Sequence, residues 1–177
     1  IRKYANEYRA EGKKVFVTTT THMFIEEDTL LTDDAEEIIR ALQKTGYAMA
    51  GISEGKKITS LSERTYREVC KYADVVLVEA DGSKHMPVKF PDEREPVIPE
   101  NTDEIIVVCG LHALGRKAAE VSHRLEMVKK CLKIEDDTVI NAEHIQKLVQ
   151  KGYVEPLKEN DPEKNIRIEP NHDGSLY

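Results

Sequence analysis

Hydrophobic residues near the start of the chain recur at the spacing of an amphipathic helix. Ile1, Tyr4 and Tyr8 fall on one helical face, and Gly12 follows as a stop signal. Capping residues, glycines and apolar periodicity indicate further helices along the chain. These predicted helices cover residues 32–44, 62–72, 116–132 and 142–151, with Thr32–Asp34 and Ser62 as caps and Gly46 as a stop.

Short apolar runs without polar alternation predict the strands. Val15–Val17, Val75–Val78 and Ile105–Val108 are runs of this kind, and Tyr47–Ile52 is a further strand. A strand that is apolar on both faces belongs in a parallel sheet covered by helices. We therefore expect the first three runs to share one mostly parallel sheet, with both faces covered, in a three-layer α/β domain.

Helix periodicity and apolar strand runs are less clear in two later parts of the chain. A long segment, Ala80–Glu104, carries four prolines and predicts a loop, and loops of that length are usually functional or disordered. Residues after Pro156 are polar and rich in proline and asparagine. We expect one α/β domain over residues 1–155 and an extended polar tail over 156–177.

Composition narrows the classes of partner. Acidic residues outnumber basic ones by 33 to 26, for a net charge of -7. Such a surface repels phosphate backbones and anionic lipid, so we expect no nucleic-acid or membrane partner. The apolar runs are far shorter than the ~20 residues of a membrane helix. With no charged-then-apolar leader, the expected location is the cytoplasm.

Candidate chemistry lies where the predicted strands end, because ligands of open α/β sheets collect beyond the carboxyl ends of strands. The segment Val17–His22 places Thr18, Thr19, Thr20, Thr21 and His22 at one such end. Threonine favours strands in any case, so this run also fits simple propensity. Four in succession continue past the strand, however, and their hydroxyls and amides could bind phosphate or a metal-bound water.

Two carboxylates follow the Val75–Val78 run. Glu79 and Asp81 precede Gly82, and a carboxylate at this place can hold Mg²⁺ through water. The spacing from Glu79 to Gly82 also imitates the D-x-x-G switch of GTPases, whose glycine amide faces a γ-phosphate. The alternative is a solvated turn, since Asp-Gly is common in turns. We predict catalytic and metal-binding roles for Glu79 and Asp81.

Weaker signals follow. Lys84 and Lys89 could neutralise phosphate oxygens, although single lysines are usually solvated surface. Gly110 opens a glycine-flanked loop that a plain strand-to-helix turn explains about as well. We include Gly82, Lys84, Lys89 and Gly110 with the threonines and His22 as nucleotide- or anion-binding candidates. Neither a G-x-x-x-x-G-K-[ST] loop nor an N-K-x-D motif occurs in the sequence.

Four longer runs carry a resemblance to a known family. They are V-F-V-T-T-T-T-H-M, V-L-V-E-A-D-G-S-K-H-M-P-V-K, E-P-V-I-P and V-C-G-L-H-A-L-G. With E-V-S-H-R-L-E near Glu120–Glu126, the chain resembles the selenium-dependent hydroxylase accessory proteins of the YqeC type over about Val15–Val149. The resemblance implies a P-loop NTPase-like fold that binds ATP or GTP with Mg²⁺. It also implies that the glycine-rich phosphate loop precedes a helix corresponding to Ile1–Gly12.

Three functions stay open at this point. The resemblance favours a nucleotide-driven accessory protein for molybdenum hydroxylases, a possible NTP hydrolase whose partner is the hydroxylase or its cofactor. The second is a non-enzymatic module that binds a molybdopterin-like anion or a partner protein. The third is a small-molecule phosphotransferase with Asp81 as base. Nucleotide turnover with and without cargo separates the first from the third.

Overall fold

The chain folds as two units, each with its own hydrophobic core. A computed structural model describes residues 1–172, and the units are Ile1–Gly82 and Ser83–Tyr177. The helices are α1 Arg2–Ala10, α2 Ala35–Thr45, α3 Glu63–Cys70, α4 Ala118–Val121, α5 Leu125–Leu132, α6 Ala142–Val149 and α7 Glu155–Asn160, with a 3-10 helix at Leu111–Ala113 and a π-helix at Gln150–Val154. The strands are β1 Val15–Thr19, β2 His22–Phe24, β3 Thr29–Leu30, β4 Tyr47–Ala50, β5 Ile52–Glu54, β6 Lys57–Thr59, β7 Val75–Glu79, β8 Val88–Lys89, β9 Glu104–Gly110, β10 Ser122–His123 and β11 Asn165–Asn171.

The predicted end signals of the first unit's helices are confirmed. Asp34 caps α2 by accepting a hydrogen bond from the Glu36 amide at 2.9 Å. Gly46 ends the same helix in the left-handed conformation, at a φ of 72° that glycine adopts without steric cost. Ser62 caps α3 by accepting from the Thr65 amide at 3.3 Å.

A parallel sheet forms the centre of the first unit, in the order β3-β4-β1-β7. Successive side chains of β1 enter different cores, because strand side chains alternate between faces. Phe16 packs with residues of α2 and α3, whereas Val15 and Val17 pack with Ala5 of α1 and with residues of the small sheet described next. Helices and a second sheet therefore enclose the buried strand β1.

The strand β7 differs from its prediction. It lies parallel to β1, as expected, but it stands at the end of the strand order, and its five residues are only half-buried. A terminal strand has one strand neighbour, so its apolar residues are less enclosed than those of β1. The strand that precedes Glu79 is therefore less buried than its uninterrupted apolar run predicts.

Three short strands of the first unit form a second, antiparallel sheet in the order β2-β6-β5. The sequence did not predict this sheet. Met23 and Ile58 face the core, while the neighbouring residues His22 and Phe24 are exposed. The sheet follows directly on the threonine run, and it therefore fixes where His22 points.

The second unit corrects the one-sheet prediction. Strand β9, which contains Ile105–Val108, pairs in parallel with β11 and not with β1 or β7. Strands β8 and β10 form a further parallel pair. An apolar run indicates a buried strand but does not specify the strand with which it pairs. In addition, β11 lies in the segment that we expected to be a polar tail.

Two predicted elements of the second unit have different boundaries. The helix expected over 116–132 is interrupted by β10 and by Arg124, whose φ is 60°. The expected tail contains α7 and β11 rather than extended chain, and its last residues, 173–177, lie outside the described residues. Within residues 1–172, no helix has the length and apolar character required to cross a membrane.

Candidate functional site

Hydrogen bonds fasten the carboxyl end of β1 to that of β7. Thr19 lies opposite Glu79 in the parallel register. The Thr19 hydroxyl donates to the Glu79 carbonyl at 2.9 Å, and the Thr20 amide donates to the same oxygen at 3.0 Å. The prediction that these two strand ends lie side by side is confirmed. The two hydrogen bonds form a clamp that fixes the backbone from which the Glu79 carboxylate projects.

The four threonines have different surroundings. Thr18 and Thr19 are buried, and the Thr18 hydroxyl donates to the Ala50 carbonyl of β4 at 2.9 Å. The Thr21 amide donates to the Thr19 hydroxyl at 2.9 Å, which holds the turn after β1. Thr20 and Thr21 are half-buried. The first two therefore hold the backbone, whereas the Thr20 hydroxyl lies 3.5 Å from the Glu79 carbonyl oxygen and the Thr21 hydroxyl lies 3.3 Å from that of Thr19.

Gly82 closes the site beside Glu79. A Cβ atom at position 82 would lie 3.3 Å from Glu79 Oε1 and 3.7 Å from the His22 carbonyl oxygen. The Glu79 carboxylate thus turns back over its own loop, toward the start of β2, and Asp81 is half-buried in the same loop.

The His22 side chain points elsewhere. Its Nε2 lies 2.8 Å from Glu54 Oε2 on the exposed face of the antiparallel sheet. The backbone carbonyl, not the imidazole, borders Gly82. The sequence suggested an imidazole beside the threonine hydroxyls, but β2 turns it outward because alternate strand residues face opposite sides.

The oxygen donors at this end of the sheet fit Mg²⁺. Among residues 1–172, no group of three or more histidine, cysteine, aspartate or glutamate side chains could hold a metal ion. Mg²⁺ does not require such a cage, because it commonly binds one or two carboxylates, water and substrate phosphates. Glu79, Asp81 and the hydroxyls of Thr20 and Thr21 are the donors that could hold it.

Lys84, Lys89 and Gly110 lie in the second unit. Lys89 is buried, with a side chain 4% exposed, and its Nζ lies 2.6 Å from Glu95 Oε2. Burial acts to raise the pKa of Glu95, but hydrogen bonds from Arg124 and Lys89 outweigh it and lower that pKa to about 2. Lys89 is therefore half of a buried ion pair rather than an exposed clamp for a ligand.

Close packing accounts for Gly110. A Cβ atom at this position would lie 2.6 Å from Pro87 Cβ and 2.7 Å from Pro87 Cα. Real side chains do not approach backbone that closely, so only glycine fits here without displacing the chain at Pro87.

The charged network around Lys89 was missed by the sequence analysis. Arg124 Nη1 lies 2.5 Å from Glu95 Oε2, and its Nη2 lies 2.9 Å from Asp92 Oδ2. The neighbouring His123 lies opposite Lys89 in the β8–β10 register. The available signal was the run E-V-S-H-R-L-E, whose histidine and arginine fall within the helix predicted over 116–132.

Comparison with known proteins gives one family and one curated relative. The sequence profile described as YqeC protein matches residues 1–126. The chain is 32% identical over 154 residues to "Uncharacterized protein YqeC" of Escherichia coli (strain K12), and the match covers 80% of this chain and 59% of the relative. The chain thus spans about three fifths of the relative's length. No solved structure matches the chain.

Proposed function

The chain belongs to the YqeC protein family, and from that premise we propose that it acts in the maturation of selenium-dependent molybdenum hydroxylases as an accessory protein. In this proposal, a nucleoside triphosphate and Mg²⁺ bind where β1 and β7 end. The single observation that carries it is the clamp from Thr19 and Thr20 to the Glu79 carbonyl, with the Glu79 carboxylate beside Gly82.

The proposed roles follow from this geometry. The Thr19 hydroxyl already donates to the Glu79 backbone carbonyl, so the role of Thr19 is to position Glu79. Glu79 and Asp81 supply carboxylate oxygens to the water shell of the metal. When bound, Mg²⁺ would neutralise phosphate charge. Gly82 places no side chain beside the Glu79 carboxylate. The half-buried Thr20 and Thr21 contribute hydroxyl groups to phosphate oxygens, because their amides already donate to the Glu79 carbonyl and the Thr19 hydroxyl.

The phosphate-binding loop of the proposed site lies outside the residues described. The sequence holds no G-x-x-x-x-G-K-[ST] run, and the relative has chain beyond the matched region. One feature of the first unit fits such a segment: β7, which carries Glu79, is a half-buried strand at the end of the strand order.

Calorimetric titration of the full-length protein with Mg²⁺-ATP and Mg²⁺-GTP tests the site. We expect one nucleotide to bind, and Glu79→Gln to weaken that binding about tenfold or more because the metal's carboxylate is lost. The matched control is Glu37→Gln, which neutralises an exposed carboxylate on α2 and should leave affinity unchanged. Equal affinities for wild type and Glu79→Gln would remove Glu79 from the site.

Turnover separates the remaining alternatives. Nucleotide hydrolysis that rises when a molybdenum hydroxylase or its cofactor is added supports the accessory role. Transfer of phosphate to a small molecule, with loss on Asp81→Asn, would support a phosphotransferase instead. A full-length protein that binds neither nucleotide would favour the non-enzymatic binding module.

A further inference from the structure

A group of cationic side chains gathers in the second unit, around the paired strands β8 and β10. Lys89 and His123 are opposite each other in the parallel register, and Arg124 follows His123 directly. Electrostatic interactions with His123 also involve Lys84. These residues come from separate parts of the chain: β8 with the turn before it, and the break between α4 and α5.

The acidic residues near this group are already engaged. Glu95 pairs with both Lys89 and Arg124, and Asp92 pairs with Arg124. Two carboxylates therefore face three permanent cations, Lys84 included, which leaves an excess positive charge before His123 is counted. Among the described residues, neither Lys84 nor His123 has a hydrogen bond or ion pair to a side chain.

The backbone that presents this group is strained at three residues. Lys84 and His85 have φ values of 53° and 61°, and the Met86 amide donates to the Ser83 carbonyl at 3.0 Å across them. Arg124 has a φ of 60°. Positive φ in residues other than glycine costs about 1–2 kcal/mol each, and such strain concentrates at functional sites.

We propose that Lys84 and His123 form a binding site for a tetrahedral oxyanion, inorganic phosphate or the phosphate group of a small molecule. Lys84 supplies the unpaired charge, and the half-buried imidazole of His123 supplies an N–H donor. Lys89 and Arg124 contribute positive potential while staying paired with Glu95 and Asp92. Lys84 and His123 both belong to the second unit, and occupation of this site requires neither nucleotide nor Mg²⁺.

Binding of the oxyanion at this site is coupled to protonation of the His123 imidazole. Burial lowers the pKa of His123, and the cations Lys89, Arg124 and Lys84 lower it further, with Glu95 opposing them. A bound oxyanion would reverse this effect by favouring the imidazolium ion, so the pKa of His123 rises on binding. Affinity therefore increases as the pH falls through the titration range of His123.

The test is an NMR titration of the histidine rings in the full-length protein, without nucleotide or Mg²⁺. Sulfate serves as the first probe, because its charge is constant across the pH range used, and inorganic phosphate and phenyl phosphate follow. We expect the His123 resonance, assigned by its loss in His123→Gln, to shift saturably. Sulfate affinity should increase at least about fivefold between pH 8 and pH 5.5. Tighter binding of phenyl phosphate than of inorganic phosphate would identify a phosphate ester as the ligand.

Variants decide whether the response is local. Lys84→Ala should weaken sulfate binding about fivefold or more, since it removes the unpaired charge. Lys130→Ala, which removes an exposed lysine on α5, is the matched control and should bind as wild type does. A His123 resonance that does not shift, or that shifts equally in Lys84→Ala and wild type, would overturn the proposal.

Discussion

The Thr19 hydroxyl donates to the Glu79 carbonyl across two parallel strands, and in the same structure it accepts from the Thr21 amide. One buried side chain thus holds both the strand end that carries the carboxylate and the turn that follows β1. Because Thr19 is only 1% exposed, water cannot replace either bond at low cost.

Replacing Thr19 with valine keeps the shape of the side chain and removes its hydroxyl. We expect the free energy of unfolding to fall by about 1–3 kcal/mol, because the Thr21 amide loses its acceptor in a partly buried turn. Urea denaturation measures the loss. Thr19→Ser, which retains the hydroxyl, should lose less, and an equal or larger loss in the serine variant would show that the methyl group matters more than the clamp.

The Glu95 carboxylate should make the stability of the second unit depend on pH. Its pKa is about 2 in the folded chain against an ordinary 4.5, so its contribution is present above pH 4.5 and is lost as the pH falls toward 2. After allowance for solvent screening, we expect about 1–2 kcal/mol to disappear over that range. Thermal unfolding followed from pH 6 to pH 2.5 would reveal it.

The matching variant is Glu95→Gln, which leaves the buried Lys89 without its carboxylate. At neutral pH we expect it to lose about 2–4 kcal/mol of stability. Its profile should be flatter than that of wild type in acid, because the titrating group is gone. Glu155→Gln, at an exposed pair with Lys151, should change stability little at any pH. Parallel acid profiles for wild type and Glu95→Gln would contradict this account.

Two glycine substitutions should have opposite outcomes. Gly110→Ala places a methyl group against the backbone of Pro87, and we expect a loss of about 2–4 kcal/mol or a failure to fold. Gly82→Ala brings its methyl group 3.3 Å from the end of the Glu79 side chain and an ordinary 3.7 Å from the His22 carbonyl oxygen, so the fold should be little affected. The Gly82 variant should instead weaken Mg²⁺-nucleotide binding. Urea denaturation and the calorimetric titration together separate the two effects.

The strained turn before β8 offers a stabilising change. His85→Gly should raise the free energy of unfolding by about 0.5–1 kcal/mol, since glycine tolerates positive φ at a modest entropic cost. Lys130→Gly, the corresponding change inside α5, should lower it by about 1 kcal/mol. If both variants lose stability alike, His85 is not strained in solution.

Local signals were sufficient for the helix ends of the first unit and for the pairing of β1 with β7, but not for its antiparallel sheet. Asp34, Gly46 and Ser62 act on neighbouring backbone, so their effect is readable from sequence, and the strand-end rule brought Thr19 and Glu79 together correctly. The pairing of strands that are distant in sequence could not be predicted. The apolar run of β9 resembles that of β7, yet its partner is the mixed polar and apolar β11, which carries Pro170 near its end.

The interruption of the predicted helix at Arg124 could not be predicted from the sequence either. A helical pattern runs through Glu120–Glu126, and the positive φ of Arg124 occurs in a residue type that rarely adopts it. Tertiary contacts favour this break, because the ion pairs of Arg124 with Asp92 and Glu95 require its side chain at that position. Interactions between distant charged residues therefore override the local helical preference.

The division into Ile1–Gly82 and Ser83–Tyr177, each with its own core, has a kinetic consequence. Cooperative opening follows cores rather than sequence continuity, so slow amide exchange should fall into two classes with distinct free energies of opening. The amides of Phe16 and Val17 would report one class, and those of Val107 and Val128 the other. Each ligand should then protect mainly the class that contains its own site, with nucleotide slowing exchange in the first unit and oxyanion slowing exchange in the second.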